Sequence, residues 1–294
     1  MRQIAHTSPP VMEVRGHLGL RFAYQHDGQQ TRLVASEQSP PLRVVRAFSL
    51  QDGAALVHLH NLSGGILGGD QLTLDVDIGP QASAQLTTTG ATRLYRCRPE
   101  MPAAVQTTTI QVQQGGLLEY LPDPLIPFAG SRYRQQTTIE LAEDAGLFWW
   151  EAIAPGRTAR GELFVYDQLH VSTKITSQGR PLAIERYTLE PQQQSLASLA
   201  RLGPYTYFCS MYICRVGLDA ASWLKLERTL NTLAHQISTP ESIVWGVSSL
   251  VAHGLVVRGV SCQGYTIVNG LTKFWQEAKQ VLYGREAIPP RKVY

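Results

Sequence analysis

The sequence predicts a mainly β protein, with an antiparallel β-rich body (two-sheet or β-helical) and two α-helices in its C-terminal third. Three observations carry this expectation. Apolar and polar residues alternate with period two over most of the chain. Turn signals separate the alternating runs at intervals of about a dozen residues, with no helical stretch between them. Only two windows switch to a helical period.

The elements follow in order. Leu72, Leu74, Val76 and Ile78 alternate with Gln71, Thr73, Asp75 and Asp77, the pattern of a half-buried strand. Ala104 to Val112, Arg134 to Leu141, Leu163 to Ile175 and Leu182 to Leu189 read the same way and are rich in Thr, Val and Tyr. Gly79-Pro80, Gly115-Gly116, Asp144-Ala145-Gly146 and Gln178-Gly179 supply the turns. In the first helical window Trp223, Leu226, Leu230, Leu233 and Ile237 recur at spacings of three and four, with Asp219 placed as N-cap. The second runs from about Leu271 to Tyr283, with Leu271, Phe274, Ala278 and Leu282 on one face and Gly284 as its stop. Strands are expected between them at Ile243 to Ser249, Leu255 to Val260 and Tyr265 to Val268. No repeat of fixed period is evident. The run Gln192-Gln193-Gln194 marks the expected loop between a β-rich body, 1–190, and a mixed segment, 191–294, packed on that same body.

Composition narrows the function. With 294 residues and 44% hydrophobic content, the chain can bury a core and is not disordered. A net charge of +3 is too mild for a dedicated nucleic-acid binder. Only 17% of residues are charged, which leaves surface open to protein partners. The two amphipathic helices suggest apolar area that calls for such a partner. The four cysteines form no CxxC pair and are too few for a disulfide scaffold. Residues 1–11 lack the apolar run of a secretion signal, and no stretch is long enough to span a membrane, so a reducing, cytoplasmic setting is expected.

The densest glycine cluster is Ser63-Gly64-Gly65-Ile66-Leu67-Gly68-Gly69-Asp70. A phosphate loop would need a lysine where Asp70 stands and a helix where a strand follows. A tight turn is the better reading. His58 and His60 leave one strand face but have no third ligand nearby in sequence. Cys209 and Cys214 fall on opposite faces. Gly259 to Gly264 narrowly misses the nucleophile elbow, and no HExxH occurs. Glu119, Glu151 and Glu162 stand in apolar company, where a carboxylate must be solvated, paired, metal-bound or protonated. Salt bridges to Arg157, Arg160 or Arg186 are one reading of them and a functional site is the other. Trp149-Trp150 could stack a sugar or base, but on a strand the two rings face opposite ways.

The segment from Gly64 to Tyr95 resembles the urease accessory protein D family (UreD, called UreH in some lineages). Gly64-Gly65-Ile66-Leu67-Gly68-Gly69-Asp70 with Leu72-Thr73 is similar to that family's Gly-Gly-Ile-Val-Gly-Gly-Asp turn and strand. Leu86 to Arg96 resembles its Leu-Thr-Thr-Pro-Gly-Ala-Thr-Lys-Phe-Tyr-Arg segment. Leu118-Glu119-Tyr120-Leu121-Pro122, Trp150-Glu151, Gly156-Arg157, Gly161-Glu162, Glu185-Arg186 and Pro290-Arg291 match further motifs in order. The chain departs from the pattern at Thr89, where the family has proline, and at Asp123-Pro124, where the carboxylate stands one place earlier. It also ends in Lys292-Val293-Tyr294 instead of Ile-Trp.

The resemblance implies a non-enzymatic chaperone for nickel insertion into apo-urease. It implies partnership with UreF and, through UreF, with the GTPase UreG. No tightly bound cofactor is implied, only nickel in transit. On that implication Asp70, Glu119, Glu151 and Glu162 become candidates for a nickel path, with Thr87 and Thr88 as neutral oxygens. A β-rich carbohydrate-active enzyme using Glu119, Glu151 or Glu162 as an acid/base pair beside Trp149-Trp150, and a purely structural β-scaffold, are the competing readings.

Overall fold

The computed structural model describes residues 13–290. Arg291 and the departure at Lys292-Val293-Tyr294 lie outside the described residues, as does the stretch 1–11. In chain order the first strands are β1 (Arg15–Gln25), β2 (Gln30–Ser39), β3 (Leu42–Arg43), β4 (Ala47–Ser49), β5 (Ala55–Asn61) and β6 (Gln71–Ile78). Next come β7 (Ser83–Thr88), β8 (Thr92–Leu94), β9 (Ala104–Val112), β10 (Leu117–Tyr120), β11 (Leu125–Pro127) and β12 (Arg132–Leu141). After them run β13 (Gly146–Ile153), β14 (Gln168–Ser177), β15 (Arg180–Leu189) and β16 (Tyr207–Arg215). The chain closes with α1 (Ala220–Ile237), β17 (Ile243–Ser249), β18 (Gly254–Ser261) and α2 (Gly264–Tyr283).

These strands form two facing sheets. The first has the order β15-β14-β12-β9-β6-β1-β2, and the second β17-β18-β16-β13-β10-β7-β5-β3. From β6 to β14 the chain passes back and forth between them. Strands adjacent within a sheet are therefore one winding apart in sequence, and they run parallel: β1, β6, β9, β12 and β14 in one sheet, β5, β7, β10 and β13 in the other. Antiparallel pairing is confined to the flanks, where β2, β15, β3, β4 and the β16-β18-β17 meander add on.

The mainly β class holds, and the pairing is mixed instead of antiparallel throughout. The physical reason is that period two reports a half-buried face and says nothing of the neighbour's direction. The short turns after β6, β9 and β12 carry the chain from one sheet to the other and are not hairpins. They stack: the backbone N–H of Gln81 donates to Gln114, and that of Gly115 to Glu143. Each has a residue at positive φ at its corner, Gln81, Gly115 and Asp144.

Two expected boundaries move. The strand expected from Leu163 begins only at Gln168, because 156–167 forms a loop around an Arg157–Glu162 pair. Tyr265 to Val268, expected as a strand, is the first turn of α2. Its β-branched residues suggested a strand, yet Ile267, Leu271, Phe274, Ala278 and Leu282 make one continuous buried stripe. The caps fall where the sequence puts them. The Asp219 carboxylate accepts from the Ser222 N–H at 2.9 Å, and Gly284 is left-handed at φ 62°.

Each sheet face has its own core. One cluster fills the inter-sheet space around Phe22, Ile78, Leu86, Leu118, Leu141 and Trp149. A second packs the outer face of the second sheet against α1 and α2, so the helices' apolar stripes are covered within the chain. They are not the open surface that amphipathicity suggested. The third lies between the sheets at the other end, around Ile66, Leu72, Tyr133 and Tyr166.

Candidate functional site

Between the first and third clusters the interior turns polar. On β9, β12 and β14 the inward positions Thr108, Thr137 and Thr173 stand in register, followed on β15 by Glu185. Gln106 and Gln135 form the adjoining row. The facing sheet contributes Thr88, Glu151 and Ser210, with Glu151 and Ser210 paired across β13 and β16. Thus a polar layer runs across the sandwich between two apolar ones.

The layer opens at the glycine turn. A cleft of about 260 Å³ is lined by His60, Asn61, Gly64, Gly65, Thr88 to Arg93, Gln106 and Tyr120. It adjoins a smaller cavity of about 60 Å³ lined by Gln106, Thr108, Asp123, Gln135, Thr137 and Glu151. Thr88, Thr92, Gln106 and Tyr120 line both. The inner cavity has room for a few waters.

The turn forming the mouth owes its shape to glycine. Gly64 and Gly69 have φ of 72° and 87°, where other residues are strained. Gly65 is there for closeness: a Cβ would lie 2.6 Å from the Arg93 carbonyl. Asp70 locks the turn, its Oδ2 accepting from the Leu67 N–H at 2.9 Å. Burial pushes the Asp70 carboxyl up, opposed by that N–H. The tight-turn reading of the cluster is the one seen. At the mouth, burial and then His58 lower the His60 pKa, favouring neutral imidazole.

Glu151 sits at the inner end. Gln135 Nε2 donates to its Oε1, and Gln135 Oε1 in turn accepts from Tyr133 OH at 3.2 Å. Burial pushes the Glu151 carboxyl up to about 8, against the Gln135 hydrogen bond and helped by the Glu185 charge. At neutral pH it is therefore mostly a neutral acid. Burial, then the Glu151 charge, also raise the phenols of Tyr120 and Tyr133, which stay hydroxyls.

The other candidates stand elsewhere. Glu119 leaves the opposite face of the second sheet, where Lys279 Nζ lies 2.8 Å from its Oε1. Gln85 and Trp275 donate to it as well, at 3.0 and 3.3 Å. Glu162 is forked by Arg157, which holds its carboxyl below the usual range, and accepts from the Ala129 N–H. Thr87 faces away from Thr88, its hydroxyl on the Leu121 carbonyl at 2.7 Å. Thr88 exchanges hydrogen bonds with Asp123, at 2.9 Å from the Asp123 N–H and 3.2 Å to Oδ2. Of the six candidates only Glu151 and Thr88 line the polar cavities, so the set is not brought together.

Sequence reasoning passed over Gln106 and Gln135, and named Asp123 and Glu185 only as motif positions, not as site residues. The available signal was polar residues at inward positions of otherwise apolar strands.

This arrangement lines two adjoining cavities with oxygen-bearing side chains. Among the described residues no three His, Cys, Asp or Glu side chains converge as a metal site. Glu119 and Glu151 lie on opposite sheet faces, so they cannot act as the acid and base of a glycosidase. Trp149 stacks on Tyr212 inside, and Trp150 is buried on the helix side, its Nε1 on the Pro122 carbonyl; neither is a sugar platform. No described helix is long and apolar enough to cross a membrane.

A family model described as UreD urease accessory protein matches residues 14–294. The urease accessory protein UreD of Herpetosiphon aurantiacus is 46% identical, the match covering 98% of this chain and 99% of that protein. The UreD of Photorhabdus laumondii is 32% identical over 94% of this chain and 87% of its own length. That of Bacillus sp. (strain TB-90) is 29% identical over 96% of this chain and the whole of that protein.

Proposed function

The chain belongs to the UreD family of urease accessory proteins, and on that premise we propose that it is a non-enzymatic chaperone that inserts nickel into apo-urease. In this reading it works in the cytoplasm, binds UreF and through UreF the GTPase UreG, and the assembly docks on apo-urease. Nickel is cargo here, not a resident cofactor.

The observation that carries the conduit reading is the polar layer that joins the glycine-turn cleft to Glu151 between two apolar clusters. Thr88, Asp123, Gln106 and Glu151 supply oxygens that a partly hydrated divalent ion can exchange one for another. Weak, successive binding suits a path, whereas a thiolate or imidazole cage would hold the ion. Glu151 fits the task because its acid is neutral at rest. An approaching cation favours the carboxylate, and the proton leaves to water in the cavity. For Asp70, Glu119 and Glu162 the partners described above favour structural roles.

The test is to produce urease with the accessory proteins and replace Glu151 by alanine or glutamine. After checking that the complex with UreF still forms, nickel bound to urease is measured by mass spectrometry. Reduced nickel in both variants is expected. Wild-type nickel content would leave a docking scaffold without a conduit.

A further inference from the structure

The polar layer does not end at Glu151. Across the β13–β16 ladder stands Ser210, and across the next ladder Arg258. From the facing sheet Glu185 meets them. Its carboxylate accepts from Tyr212 OH at 2.9 Å, from Ser210 Oγ at 3.3 Å and from Arg258 Nη2 at 2.9 Å. Beside Glu185 on β14, Thr173 is 1% exposed and its Oγ1 has no hydrogen-bond partner among the described residues. An orphaned buried hydroxyl is costly unless water reaches it.

The exposed member of this group is Arg258. Glu151, Ser210 and Glu185 each keep partial accessibility, and the Arg258 side chain is 59% exposed. Edge strand β15 and strand β18 therefore flank a place where the layer meets the side of the sandwich. It lies across β10, β13 and β16 from the glycine-turn cleft. There the Arg258 guanidinium covers a half-buried carboxylate.

We propose that Arg258 is the charge-selective closure of a second opening of the polar layer. Seated on Glu185, the guanidinium repels free cations and ties up the one carboxylate that would draw them in. Swung outward on its exposed stem, it frees Glu185 as an oxygen ligand and clears the way. The inference rests on reading the layer as a passage, and it makes Arg258 the residue that decides which ions use this side.

The test measures access directly, without nickel. Ser210→Cys is introduced into the full-length chain together with Cys262→Ser, which removes the partly exposed native thiol; the other three cysteines are buried. Modification rates are compared for a cationic probe, trimethylammonioethyl methanethiosulfonate, and a neutral one, methyl methanethiosulfonate. Both react with the same thiolate, so their rate ratio cancels any change in thiol ionisation. Arg258→Ala is expected to raise the cationic-to-neutral ratio on the order of tenfold, whereas Glu185→Gln, which removes the attracting carboxylate and keeps the guanidinium, is expected to lower it. Arg258→Lys is expected to fall between wild type and Arg258→Ala. An unchanged ratio in Arg258→Ala, or a thiol inert to both probes in every variant, overturns the proposal. If Ser210→Cys does not fold, Thr173→Cys reports from the neighbouring strand by the same comparison. Should the ratio rise while Glu151 variants leave urease nickel at wild type, the closure stands and the nickel reading falls.

Discussion

Lys279 is the most consequential charge in the core, and its removal tests whether Glu119 is structural. Lys279 on α2 is 1% exposed and bridges Glu119 Oε1 at 2.8 Å and Asp52 Oδ2 at 3.2 Å. Replacing it with methionine keeps the packing volume but strands the Glu119 carboxylate, itself 1% exposed. Breaking a buried pair from one side costs about 3–5 kcal/mol, far more than the pair is worth relative to apolar residues. Glu119→Gln leaves Lys279 on Asp52 and keeps one acceptor for Trp275. Its new NH₂ then meets Gln85 Nε2, whose own Oε1 has no hydrogen-bond partner among the described residues, so a flip of Gln85 recovers one bond and loses the one to the Ile288 carbonyl. That exchange amounts to about 1–2 kcal/mol.

The double variant removes both charges together. It should therefore be more stable than the sum of the singles implies, by roughly 2 kcal/mol. Equilibrium unfolding in guanidinium chloride, followed by Trp fluorescence and circular dichroism with slopes compared, gives all three values. Glu119→Gln should also leave urease nickel unchanged. If Glu119→Gln costs as much as Lys279→Met, or the two effects add, the network does not work as described.

Glu151 gives the chain a pH dependence with a definite sign. Its native pKa of about 8 lies above its ordinary 4.5, so the folded state holds the proton more tightly and stability falls as pH rises from about 4.5 to 8. Glu151→Gln should flatten that slope in melting curves taken from pH 5 to 8.5, and a parallel decline in both proteins would exclude Glu151 as its source. Gly65→Ala should cost about 1–3 kcal/mol, because the Arg93 carbonyl must move from 2.6 Å, and denaturation midpoints will show it. At Asp70, asparagine should preserve most of the stability by still accepting from the Leu67 N–H, whereas alanine should lose about 1–3 kcal/mol in the same assay.

Much of this architecture is legible in local chemistry. Alternation marks β6, β9, β12 and β15, Asp219 and Gly284 mark helix ends, and the glycine cluster marks a turn, because each of these is decided by residues within a few positions of one another. Tyr265 to Val268 misleads for the same local reason. Four residues carry β propensity, and only the stripe running on to Leu282 shows that they begin a helix.

The family, too, is a property of the sequence, through ordered motifs from Gly64 to Arg186. What those motifs do physically is decided in three dimensions. Glu119 and Glu151 both follow aromatic or aliphatic neighbours and look alike in sequence, yet they leave opposite faces of one sheet. One meets Lys279, 160 positions later in the chain, and the other meets Gln135 across the interior. Parallel pairing, the polar layer and its Arg258 end all depend on which strands a winding chain lays side by side. That register sums many weak inter-strand contacts between distant segments, and no single window of sequence contains it.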